Sequence, residues 1–196
     1  PVIHVELKKS NVPVSEAQYQ IRKYLYEGVF TGLFSLVQVF VAMNPEECTY
    51  FANPGSDDKF RKTFCFHWAD KYNNPINDWN MIAERLLSIP MAHEMIGFYT
   101  VADQTDNTLK VMRSYQYYAA SKISRRVSEM KWDDKSIYGG YVWHTTGSGK
   151  TMTSFKSAQL IANSKDADKV VFLMDRIELG MQSLREYRGF ACLLYT

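Results

Sequence analysis

Residues 144–151, His144-Thr145-Thr146-Gly147-Ser148-Gly149-Lys150-Thr151, constrain this chain more than any other stretch. Apolar Tyr141, Val142 and Trp143 precede them, and a helical pattern from Thr151 to Ala162 follows. Strand, glycine turn and helix, in that order, are what a phosphate-binding loop requires. The turn lets backbone N–H groups, those of Thr146 and Ser148 among them, point inward at a polyphosphate. The helix adds unpaired N–H groups and a positive dipole end. Lys150 then reaches the β- and γ-phosphates, and the Thr151 hydroxyl holds Mg²⁺. His144 stands where the strict motif has its first glycine, while Gly147 and Gly149 keep the turn feasible. The bland alternative is a flexible glycine turn that opens a helix.

A loop of this kind needs a sheet behind it, and composition allows one. Of the 196 residues, 46% are hydrophobic, enough for one or two domains with a core. A net charge of +2 is compatible with a nucleic-acid partner without requiring one. Cys48, Cys65 and Cys192 are odd in number and far apart, which suits a reducing, cytoplasmic setting and gives no disulfide framework. Four scattered histidines and no CxxC pair argue against structural zinc. No signal peptide is apparent. The most apolar stretch, residues 29–43, is broken by Thr31, Gly32, Ser35 and Gln38 and reads as a buried strand with its lead-in. The chain opens without methionine inside an apparent strand and ends without a cap signal, so both ends read as cut.

Residues 2–7 read as a strand, and residues 15–27 as a helix with Ser15 as N-cap, Gln18 as its capping-box partner and Gly28 as its stop. Strands are predicted over 36–43, 49–52 and 64–68, then helices over 78–88 and 91–97. The polar stretch 103–107 reads as a loop, and the organisational boundary falls near residues 98–110. A long helix over 114–127 carries Lys122, Arg125 and Arg126, usually just a solvated face. Residues 170–174 form a continuous apolar run, as in a central parallel strand, with a helix from 177 to 185 after it. The fold class is therefore α/β, and the second half reads as a nucleotide-binding layer.

Three further constellations carry chemistry. Glu6 and Lys8 lie two apart on the first strand, so both reach one face; Glu6 can bind Mg²⁺ and Lys8 can orient the attacking water. Alone, the pair also fits an exposed charge pair, and the same spacing recurs without evident meaning at Glu129 and Lys131. Gln20 and Tyr24 share a face of the next helix and can support a metal-bound water or a phosphate. Upstream of the loop, the Gln116 amide can donate to and accept from one edge of adenine, with Arg113 stacked on or bonded near the base. Asp175 and Arg176 end the apolar run, where open α/β sheets line their ligand crevice; a local ion pair is the alternative.

In sequence order, ELK, QIRKY, RSYQYYA, VWHTTGSGKT and VVFLMDRIEL resemble the motor (R) subunit of type I restriction enzymes, from the start to about Phe190. That family joins a PD-(D/E)xK nuclease to a superfamily 2 helicase-like translocase and tolerates a residue such as His144 in its loop. The resemblance implies the C-terminal part of a restriction-endonuclease-like nuclease domain over residues 1–100. The first part of a RecA-like P-loop motor domain would follow over 108–196. Carried over by position, Glu6, Lys8, Gln20 and Tyr24 are catalytic, with Glu6 and Thr151 on Mg²⁺. Arg113, Gln116 and residues 146–151 bind ATP, and Asp175, Arg176 and Gln182 face DNA. The implied partners are double-stranded DNA and the methyltransferase (modification) and specificity subunits. The nuclease aspartate is expected upstream and the acidic helicase box downstream, so the 196 residues alone are expected to be inactive. On residues alone, a helicase without nuclease and an inactive nucleotide-binding fragment stay open.

Overall fold

The computed structural model describes residues 2–130 and 139–191 and divides the chain into two compact units, the break falling between Tyr115 and Gln116. Of the terminal segment 191–196, residues 192–196 lie outside the described residues, as does Lys131 of the Glu129–Lys131 triplet.

The first unit is built on a three-stranded sheet. Strand β1 (Ile3–Leu7) runs parallel to β2 (Val39–Met43), with Glu6 opposite Ala42. Strand β3 (Cys48–Ala52) pairs antiparallel on the other side of β2. Every residue of β2 is buried, which explains its unbroken apolar run Val-Phe-Val-Ala-Met. A parallel pair needs a crossover, and helix α1 (Val14–Tyr26) supplies it. Its Val14, Ala17 and Ile21 recur at helical spacing and meet Val37, Phe40, Ala42 and Phe51 in one core. Past the helix, Gly28 takes φ +68°, and its N–H donates to the Leu25 carbonyl while that of Val29 donates to Tyr24. This left-handed glycine end satisfies the last carbonyls and stops the helix where the sequence indicated.

The capping box does not form. The helix begins one residue earlier, Pro13 takes the cap position without a side-chain bond, and Gln18 turns inward. Its Nε2 donates to Thr49 Oγ1 at 2.9 Å, both groups buried. Gln18 sits between Ala17 and Ile21 on the inward stripe, so burial against the sheet overrides the local cap. Residues 32–36 form a 3-10 turn rather than the start of β2. The strand expected over 64–68 is also absent: residues 62–64 form a 3-10 turn, and only Phe66 bridges to Tyr50.

Helix α2 (Trp79–Arg85) starts where Asp78 accepts the Met81 N–H, and helix α3 (Ile89–Gly97) follows with Pro90 in its first turn. The stretch 103–107 is the turn of a hairpin the pattern did not reveal, β4 (Thr100–Asp103) with β5 (Thr108–Val111). The Lys110 ammonium clips it by bonding Asp103 and, at 3.1 Å, Asp106. The buried Tyr50 hydroxyl donates to the Met112 carbonyl and ties β3 to the segment after the hairpin.

Helix α4 (Ser114–Ser128) leads into the second unit, whose other elements are α5 (Lys150–Ser164) and α6 (Ile177–Phe190). Phe155 of α5 packs against Tyr187 and Phe190 of α6. Neither run read as a strand is one: 141–143 and 170–174 pair with nothing among the described residues, and Trp143 and Leu173 are 87% and 93% exposed. The layer expected of the second half is, in its described residues, helical. Apolar runs become strands only where a neighbouring strand meets their N–H and C=O groups. The chain as a whole is mixed α/β, and among the described residues no helix is long and apolar enough to cross a membrane.

Candidate functional site

Alternation along β1 sends His4, Glu6 and Lys8 to one face. Lys8 Nζ donates to Glu6 Oε1 at 3.0 Å, and His4 Nε2 lies 3.6 Å from Glu6 Oε2. The Glu6 side chain is 15% exposed, so the carboxylate stands between two basic groups in a largely dry place. Tyr24 and Phe30 meet the His4 ring edge-on at 6.1 and 5.3 Å. Gln20 is half-buried one turn before Tyr24; among the described residues no hydrogen bond joins it to Glu6. The structure thus brings Glu6 and Lys8 together and sets Tyr24 beside their neighbour His4. The sequence reading missed His4, although its place two residues before Glu6 on an alternating strand was signal enough.

The loop before α5 is a tight turn with two left-handed glycines, Gly147 at φ +74° and Gly149 at φ +78°. Gly149 is the N-cap of α5, so the N–H groups of the first turn face the loop's open side. Ser148 Oγ donates to the Thr145 carbonyl at 2.7 Å. The Lys150 ammonium donates to the carbonyls of His144 and Thr145 at 3.1 and 2.8 Å, held over the turn by groups of the loop itself. Thr146 is exposed, and Thr151 is half-buried in the first turn. Burial, aided by the Lys150 charge, holds the His144 imidazole below its ordinary pKa.

Gln116, 5% exposed, braces the loop: Nε2 donates to the carbonyls of Ser148 and Gly149 at 3.3 and 3.2 Å. A methyl group on Gly149 would run into that amide, so glycine is needed there for both conformation and space. Arg113 belongs to the first unit. Its guanidinium stacks 4.5 Å over the Phe66 ring and bonds the Tyr115 hydroxyl.

Asp175 and Arg176 form a loose pair at 3.9 Å, both well exposed, at the entrance to α6. The strand they were expected to end is not formed. Gln182 donates within α6 to Glu186 at 2.9 Å.

Residues 1–59 match the family described as Type I restriction enzyme R protein N terminus, and residues 115–192 match the family described as SWI2/SNF2 ATPase. A type I restriction enzyme endonuclease subunit of Staphylococcus aureus strain COL is 39% identical over 191 residues, 97% of this chain and 20% of the relative. A putative type I restriction enzyme endonuclease subunit, C-terminal part, of Mycoplasma pneumoniae is 36% identical over 127 residues, 63% of this chain and 61% of the relative. The type I restriction enzyme EcoprrI endonuclease subunit of Escherichia coli is 30% identical over 145 residues, 73% of this chain and 46% of the relative. The chain belongs to the R subunits of type I restriction enzymes.

This R-subunit chain spans about a fifth of the length of the staphylococcal relative. Glu6, Lys8, Gln20 and Tyr24 fall within the first matched segment, and Gln116, residues 146–151, Asp175, Arg176 and Gln182 within the second. Arg113 lies outside both, just before the second. Elsewhere in the chain, burial pushes the Cys48 and Cys65 thiols up to about 12, so neither is a ready nucleophile. Burial brings the Lys156 ammonium down to about 8; its Nζ donates to Gln159 Oε1 at 2.7 Å inside α5.

Proposed function

We infer that this chain carries two partial centres of a larger restriction motor, one for nuclease chemistry and one for nucleotide binding. Residues 1–100 would belong to a restriction-endonuclease-like domain and residues 108–196 to the start of a RecA-like motor domain. In the intact protein, ATP would drive translocation along double-stranded DNA, followed by cleavage. The methyltransferase (modification) and specificity subunits would be its partners.

The observation that carries this reading is the Gln116 amide seated on the Ser148 and Gly149 carbonyls at 3.3 and 3.2 Å. It joins a residue that can read adenine to the loop that can hold phosphates, 32 and 33 positions later. The Lys150 ammonium, now on backbone carbonyls, would transfer to the β- and γ-phosphates, and the first N–H groups of α5 would bind their oxygens. Thr151 would hold Mg²⁺, which neutralises phosphate charge. Arg113 would stack on, or bond near, the base. Asp175, Arg176 and Gln182 would contact the DNA backbone, a mostly electrostatic interaction. In the nuclease half, Glu6 would hold Mg²⁺, Lys8 would orient the water, and Gln20 and Tyr24 would support it.

Titration with a fluorescent ATP analogue tests the nucleotide half. Lys150→Ala should weaken binding about tenfold to a hundredfold, since a charge-assisted bond is lost. Equal affinity of wild type and variant removes the claim. Neither hydrolysis nor cleavage is expected of the 196 residues by themselves, because hydrolysis also needs a positioned water. For the nuclease half, Glu6→Ala or Lys8→Ala in the whole protein should abolish cleavage. Unchanged cleavage would leave the helicase reading without a nuclease.

A further inference from the structure

The β1 face holds a group that the nuclease assignment does not use. His4 Nε2 is buried and has no hydrogen-bond partner. Such a nitrogen has lost its water without gaining a partner, which is unfavourable. Glu6 Oε2 is its nearest polar neighbour but, at 3.6 Å, lies beyond hydrogen-bond reach. The imidazole has little freedom to look elsewhere, since Tyr24, Phe30 and Phe40 meet it edge-on at 6.1, 5.3 and 5.9 Å. Lys8 takes the other Glu6 oxygen, Oε1, and leaves Oε2 towards the histidine.

Two donors bound to one divalent cation at about 2.1 Å each, in octahedral or tetrahedral geometry, stand about 3.0–3.4 Å apart. The His4–Glu6 gap is close to that span, so a small rotation of the carboxylate lets both atoms bind one ion. We propose that His4 Nε2 and Glu6 Oε2 are joint ligands of a single divalent cation, giving this centre a nitrogen–oxygen donor pair that prefers Mn²⁺ to Mg²⁺. Mn²⁺, a first-row transition ion, accepts an imidazole nitrogen more readily than Mg²⁺, which favours oxygen donors. Among the described residues no group of three His, Cys, Asp or Glu side chains gathers for a metal, so water and other oxygen donors complete the shell. The proposal rests on the assignment of Glu6 as a cation ligand and adds the second donor.

The test uses the whole chain with Mn²⁺ alone and follows free and bound ion by electron paramagnetic resonance. Pulsed spectra of the bound ion should show coupling to an imidazole nitrogen. His4→Phe keeps an aromatic ring among the same three neighbours but removes the nitrogen, and circular dichroism checks that it folds. It should lose the coupling and bind Mn²⁺ about tenfold or more weakly, with Mg²⁺ competition changed far less. Mn²⁺ held through Glu6 without nitrogen coupling, or coupling that survives in His4→Phe, overturns the proposal and leaves the nuclease reading standing. Mn²⁺ affinity unchanged in Glu6→Gln sinks the nuclease reading, whatever the histidine does.

Discussion

The two units rest on different kinds of support. In the first, β2 is buried along its whole length between two strands, α1 covers it, and Glu6 and Lys8 project from β1 beside it. In the second, the apolar run 170–174 is exposed, and the glycine loop before α5 takes its shape from left-handed glycines, its own carbonyls and Gln116. A carboxylate–lysine pair placed by a sheet inherits the rigidity of the sheet. A glycine loop is held by short-range geometry and needs little of the sheet to look like itself.

The largest expected effect that would sharpen this contrast is in the first core. Phe40 is fully buried against Phe30 and Phe51, so Phe40→Ala should cost about 3–5 kcal/mol. Urea unfolding followed by tryptophan fluorescence, to which the fully buried Trp68 contributes, measures it. A loss under about 1 kcal/mol would mean the first unit is not sheet-supported as described.

The next test concerns Lys156, 5% exposed in the second unit. Its pKa is about 8 when folded, below the ordinary 10.5, because burial disfavours the charge. The unfolded chain therefore binds more protons between those values, and this residue's destabilisation is full below about pH 8 and fades as pH rises through 10.5. Lys156→Met should stabilise the unit most below pH 8 and little at high pH. A pH-independent difference in thermal unfolding would refute a buried charge.

A smaller effect is expected at the loop. Gly149→Ala meets both a left-handed backbone and the Gln116 amide, so it should cost about 1–3 kcal/mol and weaken nucleotide binding. Adding Gln116→Ala should relieve the clash and leave the backbone strain. Complete recovery in unfolding measurements would show that the φ +78° turn is not a constraint. The smallest effect belongs to Leu173, which is 93% exposed: Leu173→Ala should stay within about 0.5 kcal/mol. A core-sized loss there would erase the contrast and restore the strand.

Much of this was legible in the residues. The α1 stop at Gly28, the alternation that sets Glu6 and Lys8 on one face, and the glycine spacing before α5 depend on neighbours within a turn or two. Composition and local order convey such features because backbone freedom and side-chain period are local properties. Gln18 was misread because its partner Thr49 is 31 residues away, and no capping rule sees that far. The hairpin of β4 and β5 stayed hidden behind a polar turn, and two runs read as strands that are not: 64–68 makes only the single bridge from Phe66 to Tyr50 of β3, and 170–174 pairs with nothing among the described residues.

By itself, then, the order of residues determined where α1 stops, the chemistry that can meet on β1 and the glycine turn before α5. Only the tertiary structure decided which apolar runs became strands, where Gln18 points and that His4 faces Glu6 with a bare nitrogen. The reason is physical: strand pairing and buried polar contacts are satisfied by groups distant along the chain, and whether such a group arrives is settled by the packing of the whole.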